Sequence, residues 1–259
     1  MKKRPKILIT NDDGIFSSGI KALWESLCEI GDVTVVAPLD EKSAASHSIT
    51  INNLLRIEHI KRNQLFDGYA INGTPADCAK IAIKQILKDK PDLLVSGINK
   101  GSNLGNNIMY SGTIAAAAEG SILNVPSIAI SLDSHNAKDW RGAKVTAKDI
   151  SKYVLTNGLP KGVILNVNVP YCEPKEIRGI KITSQGNQYF EDQFEKRVDT
   201  SGREYFWIKG KIIDLDTSIK YDGKAVGMNY ISITPIQFNF TNRTYLDELK
   251  TDLGRVNAK

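Results

Sequence analysis

The chain reads as an α/β protein built on a mostly parallel β-sheet with helices on both faces. Three observations predict this. Short apolar, β-branched runs recur at Lys6–Thr10, at residues 33–37, 92–96 and 127–131, and at Val163–Val169. They are continuous rather than alternating, as strands buried on both faces must be. Between them apolar residues return at helical spacing, so strand and helix alternate along the chain.

The elements follow in order. Lys6–Thr10 stops at Asn11-Asp12-Asp13-Gly14, four turn-forming residues. From Ser18 a helix places Ile20, Leu23, Trp24 and Leu27 on one face, so Trp24 reads as core. Residues 33–37 form a second strand, closed by Pro38. Residues 49–71 are less regular, with short strands and a turn expected at Asp67-Gly68. Thr74-Pro75-Ala76-Asp77 opens a helix that continues over residues 79–87. Thr74 serves as N-cap, Pro75 fits the first helical position, and Asp77 puts negative charge at the positive end of the dipole. The strand at 92–96 runs into a loop rich in Gly and Asn over residues 97–107. An alanine-rich helix at 114–120, a strand at 127–131, a helix at 143–155 and Val163–Val169 complete the alternation. After Pro170, Tyr and Phe become denser, and alternating runs at 179–183, 204–209 and 230–234 predict hairpins. The chain thus divides into a core over residues 1–175 and an extension over 176–259 with hairpins and a terminal helix.

Bulk properties narrow the function. A chain of 259 residues suffices for one large α/β domain, with or without an appendage. Hydrophobic content of 41% and charged content of 24% suit a soluble globular protein. The net charge of +5 comes from scattered Lys and Arg. It favours small anionic substrates and forms no stripe for a stable nucleic-acid complex. Cys28, Cys78 and Cys172 are far apart and contain no CxxC pair, which argues for a reducing compartment. The apolar run after Met1-Lys2-Lys3-Arg4 is too short for a signal peptide. No stretch approaches the roughly 20 apolar residues of a membrane helix. The expectation is a cytoplasmic protein with no membrane partner.

Ligands of open parallel sheets bind beyond the carboxyl ends of the strands. Asp12 and Asp13 follow the first strand, Ser43 lies a few residues beyond the second, and Asn99 follows the strand at 92–96. Neighbouring residues of a strand point to opposite faces, whereas in a turn closed by Gly14 the two acids can share one ligand. Like charges placed together raise each other's pKa or require a cation. Carboxylate, hydroxyl and amide oxygens are hard donors that favour Mg²⁺, Mn²⁺ or Ca²⁺ over a zinc ion held by His and Cys. Taken alone, Asn11-Asp12-Asp13-Gly14 would be a turn and helix cap; the additional loops favour a cation site.

A second feature is the helix start at Ser111-Gly112-Thr113. Hydroxyls, backbone N–H groups and the positive dipole end combine there into a phosphate cradle, though small residues also suit a merely well-packed helix start. Asn11 and Gly14 of the turn, with Asn99, join Ser111, Gly112 and Thr113 as candidate phosphate contacts. The loop lacks the lysine of a P-loop and the spacing of a dinucleotide fingerprint. His47, beside the Ser43 loop, could touch phosphate or bond its own loop. His59 and His135 have no partner at metal-ligand spacing. The absence of Gly-x-Ser-x-Gly speaks against an α/β-hydrolase. The adjacent acids do not form the Asp-x-Asp of haloacid-dehalogenase-like phosphatases. A non-catalytic nucleotide-binding module is the remaining rival; it would keep the cradle and need no metal.

Several motifs together resemble the SurE family, the stationary-phase survival nucleotidases. They are Ile9-Thr10-Asn11-Asp12-Asp13-Gly14, Val36-Ala37-Pro38 with Ser43 and His47-Ser48-Ile49-Thr50, and Asn72-Gly73-Thr74-Pro75-Ala76-Asp77. Ser96-Gly97-Ile98-Asn99 with Gly101 and Asn103, Tyr110-Ser111-Gly112-Thr113 with Ala116-Ala117 and Glu119-Gly120, Asn168-Val169-Pro170, and Ser232-Ile233-Thr234-Pro235 follow. The resemblance implies a Rossmann-like core and a C-terminal hairpin extension, packed on the core and on neighbouring subunits of a homodimer or homotetramer. It implies a divalent-cation-dependent 5'- and 3'-nucleotidase acting on nucleoside monophosphates, with short polyphosphate as a further substrate. Asp12, Asp13, Ser43 and Asn99 would hold one Mg²⁺ or Mn²⁺ per subunit, and Asp12 and Asp13 would be catalytic. The family pattern has Asn two residues before the serine and Gly after it, where this chain has Glu41 and Ala44. If that loop needs positive φ, Ala44 bears on its shape.

Overall fold

A computed structural model describes residues 3–62 and 66–256. Among these, nine strands form one sheet in the order β3-β4-β2-β1-β5-β6-β7-β11-β8. The central six, β4 (Phe66–Ile71), β2 (Asp32–Pro38), β1 (Lys6–Thr10), β5 (Leu93–Lys100), β6 (Ser127–Leu132) and β7 (Val163–Val169), run parallel. β3 (Ile57–Arg62) closes one edge antiparallel to β4. The expected α/β architecture is present, and the alternation of side chains shows why. Ile7 and Ile9 pack beneath α1 (Ser18–Leu27) and α4 (Arg141–Asn157), while Leu8 packs with α2 (Pro75–Ile81) and α3 (Gly112–Ile122) on the opposite face. Both faces are covered, so Ile7, Leu8 and Ile9 follow one another as an unbroken apolar run.

Local signals explain most boundaries. Ser17 caps α1 by accepting from the Ile20 N–H. Thr74 and Asp77 form a reciprocal capping box at α2, with Pro75 inside the first turn. Asp77 also accepts from the Thr50 hydroxyl at 2.6 Å and the Thr50 N–H at 3.0 Å, fastening the long loop after β2 to this helix. In the fully apolar alanine face of α3, small residues allow close approach to the sheet; Ala115 to Ala118 are all buried.

Several boundaries differ from the sequence expectation. Asp67-Gly68 is no turn. Both residues lie inside β4, where Gly68 pairs with Val35 and Ile60. The helix expected over 79–87 ends as α2 at Ile81 and continues as a π-helical turn, Ala82–Ile86. The loop expected from Gly97 is shorter, because β5 runs to Lys100 through a register shift between Ser96 and Asn99. Its later part is a 3-10 turn, Gly105–Tyr110.

Beyond residue 175 the chain divides its roles. β8 (Ile180–Ile182) and β11 (Ile231–Gln237) extend the main sheet, and β11 pairs antiparallel with β7. β9 (Tyr189–Val198) and β10 (Glu204–Ile213) make a separate two-stranded antiparallel hairpin. A short helix, α5 (Asp222–Gly227), precedes β11, and α6 (Arg243–Val256) follows it. The alternating run at 204–209 is thus half of a longer hairpin, whereas the run at 230–234 belongs to the main sheet.

Candidate active site

β1 lies between β2 and β5, where the strand order reverses direction, and ligand sites of open sheets form at such points. The turn after β1 is shaped from within. The buried Asn11 amide donates to the Gly14 carbonyl at 3.0 Å and to Ser17 Oγ at 2.8 Å. Gly14 adopts φ +90°, a conformation that costs glycine little. The Lys42 N–H donates to the Asp12 carbonyl at 2.8 Å, which draws the loop after β2 against the turn. That contact brings Ser43 toward the two acids.

α3 meets the turn from the other side. Ser111 caps the helix, accepting from the Ile114 N–H at 3.2 Å. The Thr113 hydroxyl donates to Asp12 Oδ1 at 2.6 Å. A Cβ on residue 112 would lie 2.8 Å from Asp12 Cβ, so glycine is what lets the helix start so close to the acid. From β5, the Asn99 side-chain N–H donates to the Gly101 carbonyl at 2.8 Å and leaves its oxygen uncommitted. The Lys100 N–H reaches Asp13 Oδ2 at 3.4 Å.

These elements enclose a cavity of about 430 Å³ lined by Asp12, Asp13, Ser43, Asn99 and Ser111, among others. Asn11, Gly14, Gly112 and Thr113 do not line it. The Asn11 amide N–H and the Thr113 hydroxyl are bonded to the turn and to Asp12, where they hold the acids in place. His47 also lies off this cavity, its Nε2 3.1 Å from the buried Glu119 carboxylate, which Lys80 reaches from the other side. Residues that the sequence reading did not select line it instead: Glu41, Lys100, Asn103, Asn107, Tyr110 and His135. Glu41 and His135 sit in loops just after β2 and β6, so the strand-end rule itself could have found them.

The electrostatics are those of a site that wants a cation. Burial, then the neighbouring Asp12 charge, pushes the Asp13 pKa up to about 6. Burial raises Asp12 as well, although the Thr113 hydroxyl and backbone pull it down. The Ser43 hydroxyl donates to Glu41 at 2.5 Å, so its lone pairs remain for another partner. Among the described residues no three His, Cys, Asp or Glu side chains gather as a metal-holding group. The donors are two carboxylates supplemented by a hydroxyl and an amide oxygen, a hard set that fits Mg²⁺ or Mn²⁺.

Comparison with known proteins agrees with this arrangement of elements. Residues 7–192 match the family model of survival protein SurE. The chain belongs to the SurE family. It is 46% identical over 248 residues to a protein named 5'-nucleotidase SurE from Chlorobium phaeobacteroides, covering 96% of each chain. It is 46% identical over 253 residues to the 5'-nucleotidase SurE of Christiangramia forsetii, covering 96% of this chain and 97% of that one. A crystal structure of the SurE protein from Aquifex aeolicus superposes with a TM-score of 0.83 at 39% identity, covering 95% of this chain and 99% of that one.

Ala44, next to Ser43, adopts φ +55°, so the loop does contain the positive φ on which its shape was expected to turn. The loop therefore holds a left-handed residue that carries a Cβ, at a cost of about 1–2 kcal/mol. Ala44→Gly should raise stability by about 0.5–1 kcal/mol after the added freedom of the unfolded chain is deducted. A urea midpoint equal to or below that of the parent would show that the loop is not strained there.

Asp13 supplies a pH test in chelator-treated protein. Its folded pKa lies above its unfolded value, so between about pH 4 and 6 the folded state binds more protons and stability falls as pH rises. Above that window the deficit is complete. Asp13→Asn removes it and should stabilise the metal-free protein by about 1–2 kcal/mol at pH 7.5, allowing for partial solvent screening, but not below pH 4. An equal gain at both pH values would assign the effect to something other than the charge.

Proposed function

We propose that this protein is a divalent-cation-dependent nucleotidase. It hydrolyses nucleoside 5'- and 3'-monophosphates to nucleoside and phosphate, with short polyphosphates as a further substrate class. One observation carries the reading: a single cavity sets Asp12, Asp13, Ser43 and Asn99 beside the N-terminal end of α3. The names of the SurE relatives, 5'-nucleotidase, support the substrate class. Asp12, Asp13, Ser43 and Asn99 would hold one Mg²⁺ or Mn²⁺ per subunit. Such an ion offsets phosphoryl charge and lowers the pKa of a water it binds. Ser111 and the first turn of α3 bring a hydroxyl and the positive dipole end to the phosphoryl oxygens. Lys100 adds a cationic side chain at the cavity wall. Water attacks phosphorus, the bond to the nucleoside oxygen breaks, and that oxygen takes the water's proton. Asp12 is buried and bound to Thr113, which supports an orienting role over attack by its carboxylate.

The setting proposed is the cytoplasm. Cys28, Cys78 and Cys172 are all unpaired, in keeping with a reducing compartment. Among the described residues no helix is long and apolar enough to cross a membrane. A homodimer or homotetramer is proposed as the working form, because the β9–β10 hairpin exposes Phe194, Phe206, Trp207 and Ile208. Sedimentation at micromolar concentration should show more than one subunit; a monomer would contradict the assembly.

Phosphate release from 5'-AMP, 5'-GMP and 3'-AMP with Mg²⁺, with Mn²⁺ and with chelator tests the activity. Release is expected with metal only. Asp12→Asn should lower it at least about 100-fold while the far-UV circular dichroism is unchanged. Undiminished release in chelator would sink the cation-dependent reading. Nucleotide binding without any release would favour the non-catalytic module. A trapped phospho-aspartate would replace water by a carboxylate as the nucleophile.

A further inference from the structure

The cavity wall opposite the acids comes from the segment between β5 and α3, which supplies Gly101, Ser102, Asn103, Asn107 and Tyr110. Ile108 packs this segment into the core and Ser102 ties its start to Asp133; between them its middle is held by two polar anchors. One is a buried asparagine network. The Asn103 N–H donates to Asn168 Oδ1 at 2.8 Å, its side chain donates to Ser131 Oγ at 2.8 Å, and its carbonyl accepts from Asn166 and Asn168. The other anchor is remote in sequence. Asp222, at the start of α5, is fully buried, and its carboxylate accepts three backbone N–H groups: Gly105 at 3.0 Å, Gly186 at 2.9 Å and its own neighbour Gly223 at 2.8 Å.

We propose that Asp222 is a positioning residue for the catalytic cavity, acting through the main chain of Gly105. Gly105 is clamped on several sides. Its carbonyl accepts from the Gln185 side chain at 3.1 Å, and the next N–H, that of Asn106, donates to the Gln188 carbonyl at 2.7 Å. Gly105 adopts φ +54°, and a Cβ there would lie 2.5 Å from the Gln188 carbonyl oxygen. The segment 185–188 leads directly into β9. The foot of the hairpin, the start of α5 and the cavity loop therefore meet at one carboxylate. Burial raises the Asp222 pKa, and the three converging backbone N–H groups oppose that shift by favouring the carboxylate. Asp222 touches none of Asp12, Asp13, Ser43 or Asn99, so it shapes the substrate wall and leaves the cation donors alone.

Asp222→Asn separates these roles. The two oxygens of Asp222 are not equivalent: Oδ1 accepts from Gly186 and Gly223, and Oδ2 accepts from Gly105. The single oxygen of asparagine serves the two-donor side best and turns its NH₂ against the Gly105 N–H. Hydrogen–deuterium exchange should then rise at least about tenfold over residues 102–110 and stay unchanged in α3. The kinetic arm rests on the nucleotidase reading. There KM for 5'-AMP should rise about tenfold with kcat within about threefold, and Mn²⁺ affinity by calorimetry should stay within about twofold. Gln185→Ala, a change at an exposed residue, removes the other hold on Gly105 and should act in the same direction more weakly. It carries the test if Asp222→Asn does not fold. Exchange that rises uniformly across the chain, or a lower kcat at unchanged KM, would reduce Asp222 to a general stabilising residue and overturn the proposal. If the parent protein releases no phosphate from any nucleotide, the functional reading fails, and the exchange pattern alone decides the role of Asp222.

Discussion

The contact between the Thr113 hydroxyl and Asp12 Oδ1, 2.6 Å long and fully buried, joins the centre of the sheet to the helix that faces it. Much else is arranged to permit it. Gly112 removes the Cβ that would collide with Asp12, and Ser111 closes the helix one residue earlier. The alanines that follow let α3 lie close on β5 and β6. With Asp12 held by this contact, Asp13 turns into the same cavity, and the two carboxylates face a common space instead of opposite sides of a strand. The raised pKa of Asp13 is the electrostatic consequence of that geometry. Repulsion of this kind is what a cation between the two carboxylates would relieve, at a site shaped for binding more than for stability.

The opposite wall obeys a different rule. It is built from irregular backbone, which needs a partner for every buried polar group. Asn103, Asn166 and Asn168 supply these partners from β7 and the loop, and Asp222 supplies them from the far end of the chain. Both anchors are polar, and they act beside the apolar packing of Leu104 and Ile108 in the same segment. A hydrogen-bonded wall keeps its shape through directional bonds, so loss of a single acceptor is felt locally. The result is a cavity with one side set by the sheet and α3 and the other set by side-chain-to-backbone bonds.

The sequence carried the sheet and the acids, and carried less of what surrounds them. Continuous apolar runs marked β1, β2, β5, β6 and β7 because burial on both faces leaves little room for polar residues. The strand-end rule then placed Asp12, Asp13, Ser43 and Asn99 at one edge, where the cavity brings them together. Asp67-Gly68 misled because turn propensity is local, whereas Gly68 is required by the side chain of Val35 on the adjacent strand. Thr113 and Asn11 read as phosphate contacts because a helix start or turn advertises donors without showing what they meet. Here they meet Asp12 and the chain's own backbone. The pairing of β11 with β7 and the reach of Asp222 to Gly105 span 63 or more residues, and no local pattern encodes such contacts.

Glu41 and Ala44 flank Ser43 and shape its surroundings, one by charge and the other by backbone conformation. Glu41 adds a third carboxylate to the cavity wall and raises both Asp12 and Asp13 by its charge. A phosphate group entering that cavity alone would meet three acids against one lining lysine, Lys100, and the rest of the chain's net charge of +5 is dispersed. The positive end of α3 is partly occupied by Asp12. On the proposed function, the cation therefore enters before the nucleotide, and the extra acid strengthens the first step at the expense of the second. Ala44 acts on the same loop through the backbone, holding Ser43 beside Glu41 in a left-handed turn that glycine would adopt more easily. The two residues fall on either side of Ser43, so the setting of this hydroxyl depends on both charge and backbone conformation.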